Sequence, residues 1–446
     1  MGAGAAARAL ADPPTSDLTL LFPVTYRVNA AGRMEVGGCD LVELARRHGT
    51  PLYVYDEATV RQRASEYMAA IGEAGQVLYS AKAFASPQFL RVIAEEGLGL
   101  DVVSAGELHL ALKSDFPRDR IHFLGNNKSL DDLRAAYAAG AVIVIDGDHE
   151  FDLLREVVPD GNRATVMLRL SPGVRPDTHD HISTGQLDSK FGFSIESGAA
   201  RAAVETALKH PRLDLAGLHS HIGSQIFALR AYEQAMDIML GLVAELHDSL
   251  GYQPRKLGAG GGLGIAYTHD DDPPTPRHFV ETVRGAMVTG CARRDLEVPQ
   301  LVVEPGRSIA GPSGMALYTV GSIKDIPGVR RYVAVDGGMG DNIRPKLYGA
   351  RYEAFLASDP DRAPDGKVTI AGKYCESTDI LISDIAMPPL RSGDVIAVPA
   401  AGAYCLAMAS NYNGMPRPEV LMLREGEARV MRRRETLDDL VEAEVF

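Results

Sequence analysis

The residues that could do chemistry fall into four short stretches. Lys82 lies at the centre of QVLYSAKAFASP (Gln76–Pro87), just past Val77, Leu78 and Tyr79, a run bulky and apolar enough to be a buried strand. Most lysines are solvated surface groups, but one at a strand end can project from a rigid support into a cleft. His219 and His221 lie in LHSHIGSQ (218–225), a glycine cluster runs from Gly258 to Gly264, and Glu304-Pro305-Gly306-Arg307 follows the apolar run Leu301–Val303. A lysine amine, a flat imidazole, glycines that let backbone N–H groups approach a phosphate, and a carboxylate match the needs of pyridoxal 5'-phosphate (PLP), whose aldehyde is held covalently by one lysine. Glu304 carries the most information. A carboxylate against the pyridine nitrogen keeps it protonated, so the ring can accept the electron pair released at the substrate α-carbon. Decarboxylation needs that sink at full strength, whereas a cationic partner suits racemisation better.

Each stretch also has a plainer reading. His219 and His221 are two apart on a strand and face the same way, so an HxH metal pair competes. Such a site needs further His and Asp ligands at other strand ends, and those ends carry Lys82, glycines and Glu304 instead, so no metal is expected. A core histidine bonded to backbone describes His219 better, and His221 is assigned to stacking on a flat ring. The cluster containing Gly260, Gly261 and Gly262 misses the GxGxxG spacing and falls too late in its domain for a dinucleotide site. Ser224 could add a hydroxyl to a phosphate site there.

Regular alternation positions these groups. Strand candidates at 77–81, 100–103, 121–124, 142–145, 166–170, 215–222, 256–260 and 301–305 alternate with helical segments such as Gly106–Lys113, Leu130–Ala139 and Arg230–Leu250. The polar residues follow their strands, and only a closed barrel makes all such positions converge at one mouth. The expectation is therefore α/β plus β: a (β/α)8 TIM-like barrel over 51–310 that binds PLP, followed by a mostly β domain over 311–446. Residues 25–50 are expected to join the β domain, and 1–24 to form a mobile tail.

The bulk properties narrow the partners. With 59 acids against 46 bases, a net charge of −13 disfavours nucleic acid and anionic membrane surfaces. No run approaches membrane-spanning length. The four cysteines (39, 291, 375 and 405) form no CxxC pair, which fits neither a disulfide framework nor a zinc site and points to a reducing cytoplasm.

YSAKAF, HSHIGSQ, GGGLGIAY, EPGRSIAGP, DGGMGDNIRPKLYG, CESTDIL and GAYCLAMASNYN, taken in order, resemble the diaminopimelate decarboxylases of the alanine racemase-like, fold-type III PLP enzymes. The likeness runs from about residue 25 to the C-terminus. It implies that Lys82 holds the cofactor and His221 packs on its ring. It implies further that Ser224, the glycines around Gly262, Gly306, Arg307 and Tyr404 hold the phosphate or the neighbouring substrate group, and that Glu304 meets the ring nitrogen. For the substrate it points to Arg307, Arg344, Tyr348, Glu376 and Tyr404. Cys375 matches the family's proton donor, and Cys375 and Glu376 would come from the partner subunit of a homodimer. The types suit those roles: arginine forks onto a far carboxylate, glutamate takes a far ammonium, and a free thiol carries a proton at neutral pH. One departure is Phe84, where many relatives have an AKAN-like run, so no polar contact is expected from that position. The implied reaction is conversion of meso-2,6-diaminopimelate to L-lysine and CO2. The alternatives are a same-fold decarboxylase for another basic or carrier-bound amino acid and, against the evidence of Glu304, a racemase-like isomerase.

Overall fold

A computed structural model describes residues 20–174 and 189–445. Eight parallel strands close on themselves: Gly75–Ser80, Gly99–Val102, Ile121–Phe123, Val142–Ile145, Ala164–Ser171, Leu213–Ser220, Lys256–Gly260 and Gln300–Val303. Closure is direct, because Val303 pairs with Val77 while Ile143 pairs with Val166. The strands are almost wholly buried, as expected where helices cover the outside and side chains fill the inside. Helix starts follow the local chemistry. Ser129 and Asp132 form a capping box at the head of Leu130–Ala139, and the Ser104 hydroxyl accepts from the Glu107 N–H at the head of Ala105–Lys113.

The second domain is built on the long strand Gly314–Ile326, which pairs antiparallel with Arg330–Val335 and with Val395–Val398. Gly366–Ala371, Ile380–Met387, Glu419–Arg424 and Glu427–Arg432 extend the sheet. Three details differ from the sequence-based expectation. The strand Leu52–Asp56, expected inside the barrel domain, is hydrogen-bonded between Gly314–Ile326 and Glu419–Arg424. Its five residues are all buried, so composition alone could not say which sheet it enters. The expected tail includes Leu21 and Phe22, which are buried, with the Phe22 ring 4.0 Å from that of Tyr26; residues 1–19 of it lie outside the described residues. Ile380–Met387 and Glu427–Arg432 are strands the turn signals did not separate.

Residues Met34, Val36, Leu41 and Leu44 share an apolar cluster with Leu52, Met315, Leu317 and Leu421. Among the described residues, no helix is long and apolar enough to cross a membrane.

Candidate active site at the barrel mouth

A cavity of about 1190 Å³ opens where the barrel strands end, walled on its far side by the β domain. Lys82 reaches it from a single helical turn, Ala81–Ala83, directly after the first barrel strand. Phe84 leaves the cavity and stacks on Tyr55 with ring centroids 4.4 Å apart. The turn is tied to the second domain, because the Tyr404 N–H donates to the Ala83 carbonyl at 2.8 Å. Tyr404 itself has φ +62°, a left-handed conformation held at the cavity wall.

His221, Ser224 and Gly262 line the same space. The Gly261 N–H donates to His221 Nδ1 at 3.3 Å, so that nitrogen is the unprotonated one. Burial, followed by the nearby charges of Lys82 and Arg169, pushes the His221 pKa well below its ordinary value, so the ring is neutral. The glycines are needed for close approach. A Cβ on Gly261 would stand 2.0 Å from the Glu304 carbonyl oxygen, and one on Gly262, at φ +102°, would stand 2.2 Å from the Gly223 oxygen. The Gly260 carbonyl accepts from the Glu304 N–H at 2.8 Å, which locks the glycine turn to the next strand end.

Glu304 is buried, and its Oε2 bonds His219 Nε2 at 2.9 Å. This corrects the reading of His219 as a core histidine bonded to backbone: its partner is a carboxylate, and it lines the cavity. Glu304 Oε1 is buried without a hydrogen-bond partner. Burial would raise the Glu304 pKa, but the charge and hydrogen bond of His219, helped by His122 and Lys82, bring it below the ordinary 4.5. Asp101, from the second strand, accepts from the Ser80 hydroxyl at 2.7 Å. Its own carboxyl is pushed up to about 7, first by burial and then by the charge of Glu304.

Arg307 donates to the Ser224 hydroxyl at 2.8 Å and to the Tyr267 hydroxyl. Its guanidinium carbon lies 4.7 Å from the Tyr404 ring centroid. Gly306 fits between Ser80 and Ala83, with 3.1 Å from a Cβ to either side chain. Arg344 and Tyr348, the two ends of the short helix Arg344–Tyr348, both line the cavity. Arg344 donates to the Tyr352 hydroxyl.

Cys375 and Glu376 are absent from the cavity lining. Cys375 is exposed, and its N–H donates to Asn413 Oδ1 at 2.8 Å. The Thr378 N–H and hydroxyl bond the Glu376 carboxylate and hold its pKa below the ordinary range. Among the cavity residues that escaped the sequence reading are Asp101, Arg169 and Tyr267. The first two are charged residues inside otherwise apolar strands, a signal that was available; Tyr267 closes the GGGLGIAY stretch, but nothing in its type or spacing gave it a role. Among the described residues, no group of three or more His, Cys, Asp and Glu is placed to hold a metal ion.

Comparison with known proteins agrees with this geometry. Residues 57–311 match the family described as pyridoxal-dependent decarboxylase, pyridoxal binding domain. The chain is 46% identical over 427 residues to a diaminopimelate decarboxylase of Bacillus subtilis, covering 94% of this chain and 97% of the relative. It is 44% identical over 436 residues to that of Mycobacterium tuberculosis, covering 95% and 98%. A crystal structure of the M. jannaschii diaminopimelate decarboxylase in complex with L-lysine superposes with a TM-score of 0.88 at 33% identity, covering 95% of this chain and 98% of that one. The mouth of the barrel is thus that of a PLP-dependent decarboxylase, and the chain belongs to the diaminopimelate decarboxylase family.

Proposed function

We propose that the protein converts meso-2,6-diaminopimelate to L-lysine and CO2, in the cytoplasm, as a homodimer that uses PLP. The observation that carries this reading is a buried acid oxygen without a partner, Glu304 Oε1, in the same cavity as Lys82 and three buried arginines, Arg169, Arg307 and Arg344. The residues fit the cofactor. Lys82 would hold its aldehyde carbon, Glu304 its ring nitrogen and His221 its flat face. Ser224, the N–H groups of the glycine turn, Gly306, Arg307 and Tyr404 would hold its phosphate. When bound, PLP supplies the sink for the electron pair that the departing carboxylate leaves at the α-carbon.

The remaining work falls to the protein. His219 keeps Glu304 ionised, so a negative oxygen faces the ring nitrogen. Neutral His221 adds a flat surface without a competing charge. Arg344 and Tyr348 bind the carboxylate at the far end of the substrate, and Glu376 of the partner subunit takes the far ammonium. Cys375 of the partner subunit hands its Sγ proton to the α-carbon that has lost CO2. Cys375 is exposed, and neither it nor Glu376 lines the cavity of its own chain, which supports a site completed across a dimer. A substrate panel tests the reading. The PLP-loaded protein is expected to release CO2 and form lysine from diaminopimelate. Turnover of ornithine or arginine with none of diaminopimelate would overturn it.

A further inference from the structure

Arg307 and Arg344 are 7% and 4% exposed, and the Nε of each is buried without a partner. Their remaining contacts are with hydroxyls and rings. Two buried like charges on one cavity repel, and each needs a local group that tolerates it. One side chain touches both. The Tyr267 hydroxyl accepts from Arg307 at 2.5 Å, while the Tyr267 ring lies 4.4 Å from the Arg344 guanidinium carbon. Tyr352 closes the arrangement: its ring is edge-on to Tyr267 at 5.3 Å and its hydroxyl accepts from Arg344. The phenol oxygen thus bonds Arg307, while its ring lies 4.4 Å from the Arg344 guanidinium carbon and 5.7 Å from that of Arg307, so the closer π contact is with Arg344.

We propose that Tyr267 is a positioning residue that fixes the span between the two anion-binding ends of the cavity and thereby selects ligands whose far end carries a carboxylate. This rests on the assignment of Arg344 to that carboxylate. Tyr267 is 5% exposed and packed against Tyr352 and both arginines. It is therefore a rigid spacer: with the ring gone, Arg344 can swing and the far-end carboxylate loses a preset partner. With only the hydroxyl gone, Arg307 loses one of its two hydroxyl acceptors while Arg344 keeps its platform.

The test compares Tyr267→Phe with Tyr267→Leu in the holoenzyme. It measures the dissociation constant of PLP and the ratio of affinities for L-lysine and 1,5-diaminopentane, which lacks the carboxylate. Tyr267→Phe is expected to weaken PLP about 10-fold, the scale of a lost hydrogen bond to a charged group, at an unchanged ratio. Tyr267→Leu is expected also to shrink the lysine preference by about 3- to 30-fold, the range of a cation–π contact. A wild-type ratio in Tyr267→Leu, or an equal collapse in both variants, overturns the proposal. Should Tyr267→Leu not fold, Tyr267→Phe decides alone, and unchanged PLP affinity refutes the role. A wild-type protein that does not prefer lysine over the diamine also overturns it, while CO2 release from diaminopimelate remains a separate check on the proposed function.

Discussion

Replacing His219 by phenylalanine removes the side chain that, among the described residues, bonds the buried carboxylate of Glu304, at 2.9 Å. Both groups are buried, so water cannot readily take the place of the lost donor. A hydrogen bond to a charged group is worth about 1.5–3 kcal/mol. At 1.36 kcal/mol per pKa unit, that is a rise of roughly 1–2 units for Glu304. The sign follows from the wild-type direction. Glu304 sits below its ordinary 4.5, so the charged form survives as pH falls, and the stability it contributes is lost only as pH drops through the folded value. Without His219, burial acts with less opposition and protonation begins at higher pH. The acid limb of kcat/KM, which reports the free enzyme, is therefore expected to move up by about 1–2 units in His219→Phe. It should move less in His219→Gln, which keeps a neutral donor. A folded His219→Phe protein with its acid limb unmoved would refute the role given to this pair.

Two further predictions address the assembly and the scaffold. Mixing inactive Lys82→Ala and Cys375→Ala proteins under conditions that exchange subunits should restore CO2 release, because one site of a mixed dimer then has both wild-type residues; no recovery in verified mixed dimers would exclude completion by the partner. Lys128 pairs with Glu150 at 2.7 Å, with side chains 1% and 0% exposed, so Lys128→Met leaves a buried carboxylate unpaired. It should cost about 3–5 kcal/mol in urea unfolding, much of it recovered by Lys128→Met/Glu150→Leu, and a loss below ~1 kcal/mol would contradict the burial argument.

The barrel is legible in the sequence because its strands are short apolar runs at regular intervals and each is followed by a residue with chemical potential. Lys82, His221, Ser224, Gly262, Glu304 and Arg307 meet at one mouth for that reason. Leu52–Asp56 is legible as a strand, but the sheet it joins is not, since its wholly buried pattern is that of a barrel strand and only long-range pairing with Met315 and Leu421 distinguishes it. His219 is a missed inference rather than a missing signal. The alternation that puts it on the face of His221 also points it into the barrel, where a carboxylate partner waits. Tyr267 is a different case: it closes the GGGLGIAY stretch, but its two arginine partners lie 40 and 77 positions further along the chain, so nothing local says what it contacts.

The two buried acids of the cavity show why residue type alone could not assign roles. Asp101 and Glu304 are both carboxylates inside the barrel, yet they are driven apart: Asp101 up to about 7 and Glu304 below its ordinary value. The difference lies in their partners. Glu304 faces a histidine, while Asp101 has a serine hydroxyl and feels the charge of Glu304. Two like charges so close in a dry site are costly to hold together, and the acid that His219 bonds keeps its charge. Asp101 thus yields to Glu304, and the negative charge is concentrated on the carboxylate that His219 bonds. The role proposed for Glu304, facing a protonated ring nitrogen, needs that division, and the barrel provides it by placing a histidine of the sixth strand beside the acid that follows the eighth.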